Sequence, residues 1–380
     1  MRVTTPFGDL RAAVRDVVES FGPEYFRERY REREYPHELY DAVVDRGLVA
    51  PPVPEAYGGP GRSHAATAAV VDELARYGYD FAMPVLLSTT GACTLLDHGT
   101  EAQRERFLPA LTDGDVRFSI GLTEPASGSD AAAVSTTARR EGDVYVVDGE
   151  KTYQSGAGAP GNHVACYVRT DPESERRAGL SLLLVPVESE GVTAERLDLV
   201  ARKAAGTYRL SFDGVRVPVE NRVGAAGDGW AVLGDHLVRE HTYMAAAMAG
   251  NARAAVDEAL AVAAERERFG RPIGDFQAVS HRLADADAAV ESARLLAARA
   301  ASAIDAGRGS REHAARAKLT AGETLHEAAS VAMRTLGGDG LRAAADVGRY
   351  WREGASAVVA GGTSDIQRSV LASRLLDGDD

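Results

Sequence analysis

Cysteine is scarce in this sequence, and an excess of positive charge is missing. Only Cys93 and Cys166 occur among 380 residues, which excludes a disulfide framework and fits a reducing compartment. Lysine and arginine together number 43 against 56 aspartates and glutamates, and the formal net charge is −13. Nucleic-acid binders and proteins that dock on anionic membranes need the opposite balance, so neither kind of partner is expected.

Long apolar runs and cofactor fingerprints are also missing. The sequence contains no apolar run long enough to cross a bilayer and no apolar core of a secretion signal near its start, so we expect a cytoplasmic protein. It contains no βαβ alternation and no glycine-rich fingerprint after a strand, so a Rossmann domain is not expected. His236, His241 and His281 do not share a metal-ligand spacing, and no metal site is predicted.

The hydrophobic period changes twice along the chain and indicates three domains. Residues 1–115 carry apolar residues at spacings of three and four, which predicts a helical domain. Residues 116–225 alternate with period two in runs such as "HVACYVRT" and "GLSLLLVPV", which predicts an antiparallel sheet or an antiparallel β-barrel domain. Residues 226–380 return to the helical period with many alanines, which favours a closely packed bundle. The expected fold class is therefore α+β.

The stretch "VVAGGTSDIQR" (358–368) predicts an abrupt start of the last helix. Gly361 and Gly362 free the backbone, and Thr363 and Asp365 supply residues typical of a helix N-cap. Because such a helix start presents unpaired N–H groups and a positive dipole end, the stretch predicts an anion site.

Several phrases of the chain, taken in order, resemble the acyl-CoA dehydrogenase family along essentially the whole sequence. They are "GLTEPASGSD" (121–130), "GEKTYQSGAG" (149–158), "ERERFGRPIGDFQ" (265–277), "LGGDGL" (336–341) and "GGTSDIQR" (361–368). The resemblance implies a helical domain, a middle β domain and a helical bundle, with FAD as the cofactor. It also implies that the anion at the last helix is the diphosphate region of FAD.

The resemblance assigns a flavin role to individual residues. Thr123 and Ser155 would reach the polar edge of the isoalloxazine, and Tyr153 stands where the family usually has a tryptophan against the ring. Other matched segments reach the adenine end of the FAD of a neighbouring subunit, which implies a homodimer and commonly a homotetramer. The implied cofactor-binding residues are Leu122, Thr123, Ser129, Tyr153, Ser155, Arg266, Phe269, Gln277, Gly337, Gly338, Thr363 and Asp365.

Family chemistry needs a carboxylate base for the α-proton of an acyl thioester, while the β-hydrogen leaves as hydride to the flavin. Most members carry that glutamate at the position of Gly361, which has no side chain. Isovaleryl-CoA and long-chain acyl-CoA dehydrogenases carry it on the first long helix of the bundle, where "VREHTYMAAAMAG" (238–250) places Glu240. The resemblance thus implies Glu240 as the catalytic base and a role for the Gly361 N–H at the thioester carbonyl.

The implied substrate is an acyl-CoA or an acyl-carrier-protein thioester. Val238 and His241 stand where the family has an aspartate and an arginine near the CoA thioester, which leaves a carrier-bound substrate open. Ser129 is retained from the family pattern, and the implied substrate-binding residues are Ser129, His241 and Gly362. The electron acceptor implied by the resemblance is an electron-transfer flavoprotein or oxygen.

Other functions occur on the same fold. Flavin-dependent monooxygenases commonly lack the carboxylate, so Gly361 favours that alternative and Glu240 opposes it. Nitroalkane oxidases use an aspartate, which stands at neither position 240 nor 361. A non-enzymatic relative that binds nucleic acid would need a basic groove, which the charge balance does not support.

Overall fold

A computed structural model describes residues 7–174 and 176–377 of the chain. The described residues form two compact units. Unit 1 comprises the described parts of residues 1–31, 64–82 and 241–380, and unit 2 comprises those of residues 32–63 and 83–240. Within the described residues, none of the helices has the length and apolar character needed to cross a membrane.

In the part of the chain that the structure describes, six α-helices precede the large sheet along the sequence and five follow it. The α-helices are α1 (Gly8–Glu19), α2 (Gly22–Glu32), α3 (His37–Asp45), α4 (His64–Ala75), α5 (Tyr79–His98), α6 (Glu101–Thr112), α7 (Gly229–Glu265), α8 (Gln277–Asp305), α9 (Arg311–Leu336), α10 (Asp346–Ala357) and α11 (Ser364–Asp377). Local signals set several starts: Thr100 and Gln103 form a capping box at α6, and the Ser310 hydroxyl accepts from the His313 N–H at α9. The predicted helical domain and bundle are confirmed.

Eight strands of unit 2 form one sheet, and two short strands follow α7. The strands are β1 (Arg117–Gly121), β2 (Thr137–Glu141), β3 (Val144–Ser155), β4 (Asn162–Arg169), β5 (Leu180–Pro186), β6 (Val192–Arg196), β7 (Thr207–Pro218), β8 (Arg222–Val223), β9 (Glu267–Arg268) and β10 (Arg271–Pro272). The sheet runs β6-β7-β3-β2-β4-β5-β8, with β1 beside β4. Most pairs are antiparallel as predicted, but β1 and β2 pair with β4 in parallel. Neither strand is joined to β4 by a hairpin, so no tight turn imposes the antiparallel direction.

The core of unit 2 lies on the inner face of this sheet. Its strands contribute alternating buried residues, among them Val147, Val164, Cys166, Leu183 and Val215. Helix α5 packs closely on β1, because a Cβ added to Gly91 would lie 2.6 Å from the Phe118 ring. The small residue at position 91 therefore lets the helix approach the sheet.

Unit 1 is a helical bundle with α9 at its centre, in contact with α8, α10 and α11. Its contacts are made by small residues: an added Cβ at Gly354 of α10 would lie 2.9 Å from the His326 Cα of α9. Alanine dominates the buried positions of α9, such as Ala317, Ala321 and Ala328. Such helices approach one another closely, as the alanine content predicts.

Candidate active site

The loop 121–130 of unit 2 is fixed to β3 by backbone and side-chain contacts. The Thr152 N–H donates to the Thr123 carbonyl at 2.8 Å. The Lys151 ammonium donates to the Leu122 carbonyl at 3.3 Å and lies 2.8 Å from a Glu124 carboxylate oxygen. These contacts hold Leu122 and Thr123 beside the strand that carries Tyr153 and therefore define one wall of the candidate site.

Glu124 organises the far side of the same loop. Its carboxylate accepts from the Ser135 N–H at 2.7 Å, the Ser135 hydroxyl at 2.6 Å and the Thr136 N–H at 2.9 Å. Burial opposes ionisation of this carboxyl, but the adjacent Lys151 charge and these hydrogen bonds outweigh it and lower the pKa of Glu124 to about 2. Lys151 is completely buried, so the pair is an internal anchor.

Tyr153, Ser155 and Ser129 are all accessible on unit 2. Tyr153 is 60% exposed and has a φ of 65°, so the strand turns its ring outward at an irregularity in the β3–β7 register. Ser155 is half-buried at the end of β3, and Ser129 is exposed in the loop. An exposed aromatic ring two residues from a hydroxyl suits a planar ligand with a polar edge.

Glu240 lies on α7 among buried polar groups of unit 2. It is only 6% exposed, and one carboxylate oxygen lies 3.8 Å from Nε2 of His236, one helical turn earlier. His236 bonds Thr94 of α5 through Nδ1 at 2.9 Å, and its ring lies nearly perpendicular to the Tyr167 ring of β4 at a centroid distance of 6.4 Å. A buried carboxylate in such surroundings is a candidate acid or base.

The segments around Arg266 and Gly337 meet in unit 1. The Arg266 guanidinium donates to the Leu336 carbonyl at 2.6 Å and to the Asp339 carboxylate at 2.7 Å. Gly337 and Gly338 lie between these two acceptors and are exposed. Phe269 is 94% exposed and Gln277 is also exposed. Of the residues predicted to contact the adenine end of FAD, Arg266 therefore lies beside Gly337 and Gly338. The side chains of Phe269 and Gln277 face outward.

Helix α11 begins as the sequence predicts. The Thr363 hydroxyl accepts from the Ile366 N–H at 3.1 Å, while Asp365 is exposed and bonds Arg368 at 3.2 Å. Gly361 and Gly362 have φ angles of 62° and 77°, which favour glycine. An open cavity of about 590 Å³ lies at this helix start. It is lined by Glu323, His326, Glu327, Val358, Val359, Thr363, Ser364, Asp365 and Arg368.

Two contacts show what surrounds the paired glycines. A Cβ added to Gly361 would lie 2.5 Å from Cε of Met244, so Met244 fills the space that a side chain at 361 would enter. A Cβ added to Gly362 would lie 3.6 Å from Nε2 of His241. The structure thus brings together His241 and Gly362, the two substrate-binding candidates of unit 1, and explains why position 361 carries no side chain.

Sequence reasoning missed the residues that support the candidate site. The sequence analysis assigns no role to Lys151 or Glu124, although together they anchor the loop 121–130. His236 was considered only as a metal ligand, yet it lies beside Glu240. The i, i+4 spacing of His236 and Glu240 on one predicted helix was the signal that could have indicated their contact.

Comparison with known proteins identifies the family. Family models match the N-terminal, middle and C-terminal domains of acyl-CoA dehydrogenase at residues 8–115, 119–215 and 227–376. The chain is 32% identical to glutaryl-CoA dehydrogenase of Desulfococcus multivorans, over 96% of this chain and 94% of that protein. It is 32% identical to the caffeyl-CoA reductase-Etf complex subunit CarC of Acetobacterium woodii, over 97% of each chain.

A solved structure agrees with these sequence matches. The glutaryl-coenzyme A dehydrogenase glutaryl-CoA complex superimposes with a TM-score of 0.95 at 31% identity, covering 100% of this chain and 97% of that chain. The fold and the three domain matches define the class of the chain as that of flavoprotein oxidoreductases of the α+β class. The chain belongs to the acyl-CoA dehydrogenase family.

Members of this family bind FAD, and the residues present fit that cofactor. On unit 2, the outward ring of Tyr153 and the nearby Ser155 hydroxyl suit the isoalloxazine. On unit 1, the N-terminus of α11, capped by Thr363, presents backbone N–H groups of the kind that bind a phosphate, whereas the carboxylates of Glu323, Glu327 and Asp365 line the open cavity beside it and do not favour an anion.

Proposed function

We propose that this protein catalyses the α,β-dehydrogenation of a short or branched acyl thioester, with Glu240 as the base. One observation carries the proposal: Glu240 is a buried carboxylate on α7, and Gly361 has no side chain to take its place. Met244 fills the space beside Gly361, which further favours a base supplied by the long helix.

The proposed reaction removes a proton and a hydride from adjacent carbons. The α C–H bond breaks, and the proton forms an O–H bond on the Glu240 carboxylate. The chemistry that FAD supplies when bound is acceptance of the β-hydrogen as hydride. The Gly361 N–H donates to the thioester carbonyl and stabilises the negative charge that develops there.

Small and uncharged residues around the proposed acyl site favour a short or branched substrate. Ala360 is a small residue where the family often has a tyrosine, and a relative acts on glutaryl-CoA, as its name states. Val238 and His241 replace the charged pair that the family uses near CoA, so a carrier-protein thioester is the second substrate to be assayed.

Electron transfer and assembly are proposed from the same family pattern. One relative is named as a subunit of a complex with Etf, which supports an electron-transfer flavoprotein as the acceptor. The outward-facing Phe269 and Gln277 support an FAD shared between two subunits of a homodimer or homotetramer.

The direct test is the Glu240→Gln variant, which keeps the size of the side chain and removes the base. We expect it to retain FAD and to lose reduction of the flavin by the acyl thioester that reduces the wild type. Asp235→Asn is the matched control, because Asp235 lies on the same helix but is exposed and bonds His98 at 3.0 Å. Unchanged reduction in Glu240→Gln would refute the base assignment.

A further inference from the structure

A row of buried polar groups in unit 2 leads from α5 to Glu240 on α7. It consists of Thr90 and Thr94 on α5 and of His236 and Glu240 on α7. The Thr94 hydroxyl donates to the Thr90 carbonyl at 3.0 Å, His236 Nδ1 lies 2.9 Å from that hydroxyl, and His236 Nε2 lies 3.8 Å from the Glu240 carboxylate. All four residues are buried, so bulk water does not compete for these contacts.

The hydrogen bonds of Thr94 favour one tautomer of His236. Because the Thr94 hydroxyl gives its only hydrogen to the Thr90 carbonyl, its oxygen is the acceptor toward His236. Nδ1 therefore carries the ring proton, and Nε2 carries a lone pair. Within the described residues, no hydrogen-bond donor reaches that buried Nε2.

The ring is neutral under working conditions. Burial, followed by the nearby Arg239 charge, lowers the pKa of His236 to about 3. The contact with Glu240 is therefore not an ion pair but an approach of two acceptors, which accounts for a separation longer than a hydrogen bond. A proton on Glu240 reverses this relation, because the carboxyl O–H is then a donor aimed at a free lone pair.

We propose that His236 is a positioning residue that accepts a hydrogen bond at Nε2 from Glu240 once the carboxylate has taken the α-proton. This inference rests on the proposed function, in which Glu240 is the base. In the step, the α C–H bond breaks and an O–H bond forms on Glu240, while the electron pair left on the α carbon forms the α,β double bond. The β C–H bond breaks and its hydrogen would leave as hydride, which bound FAD would accept. The proton stays on Glu240, where it is shared with Nε2 of His236. His236 thus stabilises the protonated form of Glu240 that results from proton removal. It destabilises the ionised carboxylate present before the step, because two acceptors then face each other. Both effects raise the driving force for proton transfer to Glu240.

Thr94 has a defined part in this arrangement. Without an acceptor at Nδ1, the ring proton can move to Nε2, and His236 would then donate to the Glu240 carboxylate. That bond would stabilise the base before the reaction and weaken it. The threonine hydroxyl thus selects the tautomer that assists proton removal.

Four variants test the inference by stopped-flow reduction of the flavin under anaerobic conditions, using the acyl thioester that reduces the wild type. We expect His236→Phe and Thr94→Val to lower the limiting rate of reduction about tenfold each, the value of one hydrogen bond. The substrate concentration for half-maximal rate and the FAD content should not change. His236→Gln, which offers a carbonyl oxygen, and Thr94→Ser, which keeps the hydroxyl, should recover most of the rate.

A second readout does not depend on turnover. Infrared difference spectra of the FAD-loaded wild type and Glu240→Gln at acid pH isolate the C=O band of protonated Glu240. We expect this band to move when His236→Phe removes the acceptor and to return toward its wild-type position in His236→Gln. If His236→Phe and His236→Gln move the band equally and both change the thermal unfolding of the protein, the role of His236 is purely structural. That result would overturn the inference.

The two proposals fail in different ways. If Glu240→Gln reduces its flavin at the wild-type rate, the base assignment falls and the role of His236 falls with it. If Glu240→Gln is inactive while His236→Phe reduces its flavin within twofold of the wild type and keeps the infrared band unmoved, only the role of His236 is refuted.

Discussion

At the scale of single residues, the Glu124–Lys151 pair makes the clearest contribution to stability. Both side chains are buried and lie 2.8 Å apart. Lys151→Met should destabilise the protein by about 3 kcal/mol, because it leaves a buried carboxylate without its charge partner. Urea unfolding of the variant measures this loss. The double variant with Glu124→Gln should recover part of it, and a Lys151→Met protein as stable as the wild type would contradict this account.

The same pair makes the stability of the folded protein decrease at acidic pH. The pKa of Glu124 is lowered to about 2 in the folded chain, against about 4.3 for a free glutamate. Stability from its ionised form is therefore present above about pH 4.3 and is lost as the pH falls toward 2. We expect Glu124→Gln to be less stable than the wild type at neutral pH and to flatten the loss of stability between these values. Unfolding curves recorded at several acidic pH values check both expectations.

Residues differ in how readily the sequence reveals their roles. The cap at Thr363 depends on neighbours in sequence, and this prediction is confirmed. Gly361 was predicted only to free the backbone, and its φ of 62° shows the conformation that it adopts. Lys151 pairs with a residue 27 positions away, and His236 bonds Thr94 across 142 positions. Such pairings arise only when the chain folds, so local patterns do not report them.

At the scale of elements, the start of α11 couples helix stability to the proposed anion site. Thr363→Ala removes the acceptor for the Ile366 N–H and should cost about 1 kcal/mol of stability. It should also weaken FAD binding, since the cap orders the N–H groups proposed to hold the diphosphate. Thermal unfolding and FAD titration of the apoprotein measure the two effects. Thr363→Ser should retain both properties, and unaltered FAD affinity in Thr363→Ala would refute the proposed phosphate role.

The turn before α11 offers a second test at this scale. Gly361→Ala should cost about 1–2 kcal/mol, because the position has a φ of 62° and the new Cβ would displace the end of Met244. Combining Met244→Ala with Gly361→Ala removes the clash of the new Cβ with Met244 but leaves the strain of the positive φ. The unfolding free energies of the two substitutions should therefore not be additive. A double-mutant cycle of unfolding free energies gives the coupling, and strict additivity would contradict the contact.

Elements with strong periodicity were predictable from the sequence, whereas some strand pairings were not. The helical period predicted for residues 226–380 is confirmed by the long helices α7, α8 and α9. The parallel pairing of β1 with β4 was not predicted, because alternation identifies a strand but does not give the direction of a distant neighbour.

At the scale of the whole molecule, Arg266 connects the proposed cofactor site to assembly. Its bonds to Leu336 and Asp339 hold the glycine segment 337–338, which the family pattern relates to the FAD of a neighbouring subunit. Arg266→Ala should therefore lower FAD content and subunit association together. Absorbance of the bound flavin and light scattering after size-exclusion chromatography measure them, and normal values of both would refute the shared site.

The central claim is that the intact protein dehydrogenates an acyl thioester through Glu240. The most direct measurement is anaerobic mixing of the FAD-loaded protein with short and branched acyl-CoA and acyl-carrier-protein thioesters while the oxidised flavin band is recorded. The account predicts that at least one thioester bleaches the band in the wild type and in Asp235→Asn but not in Glu240→Gln. No bleaching by any thioester with FAD still bound would contradict it and would favour the oxygen-activating alternative of the same fold.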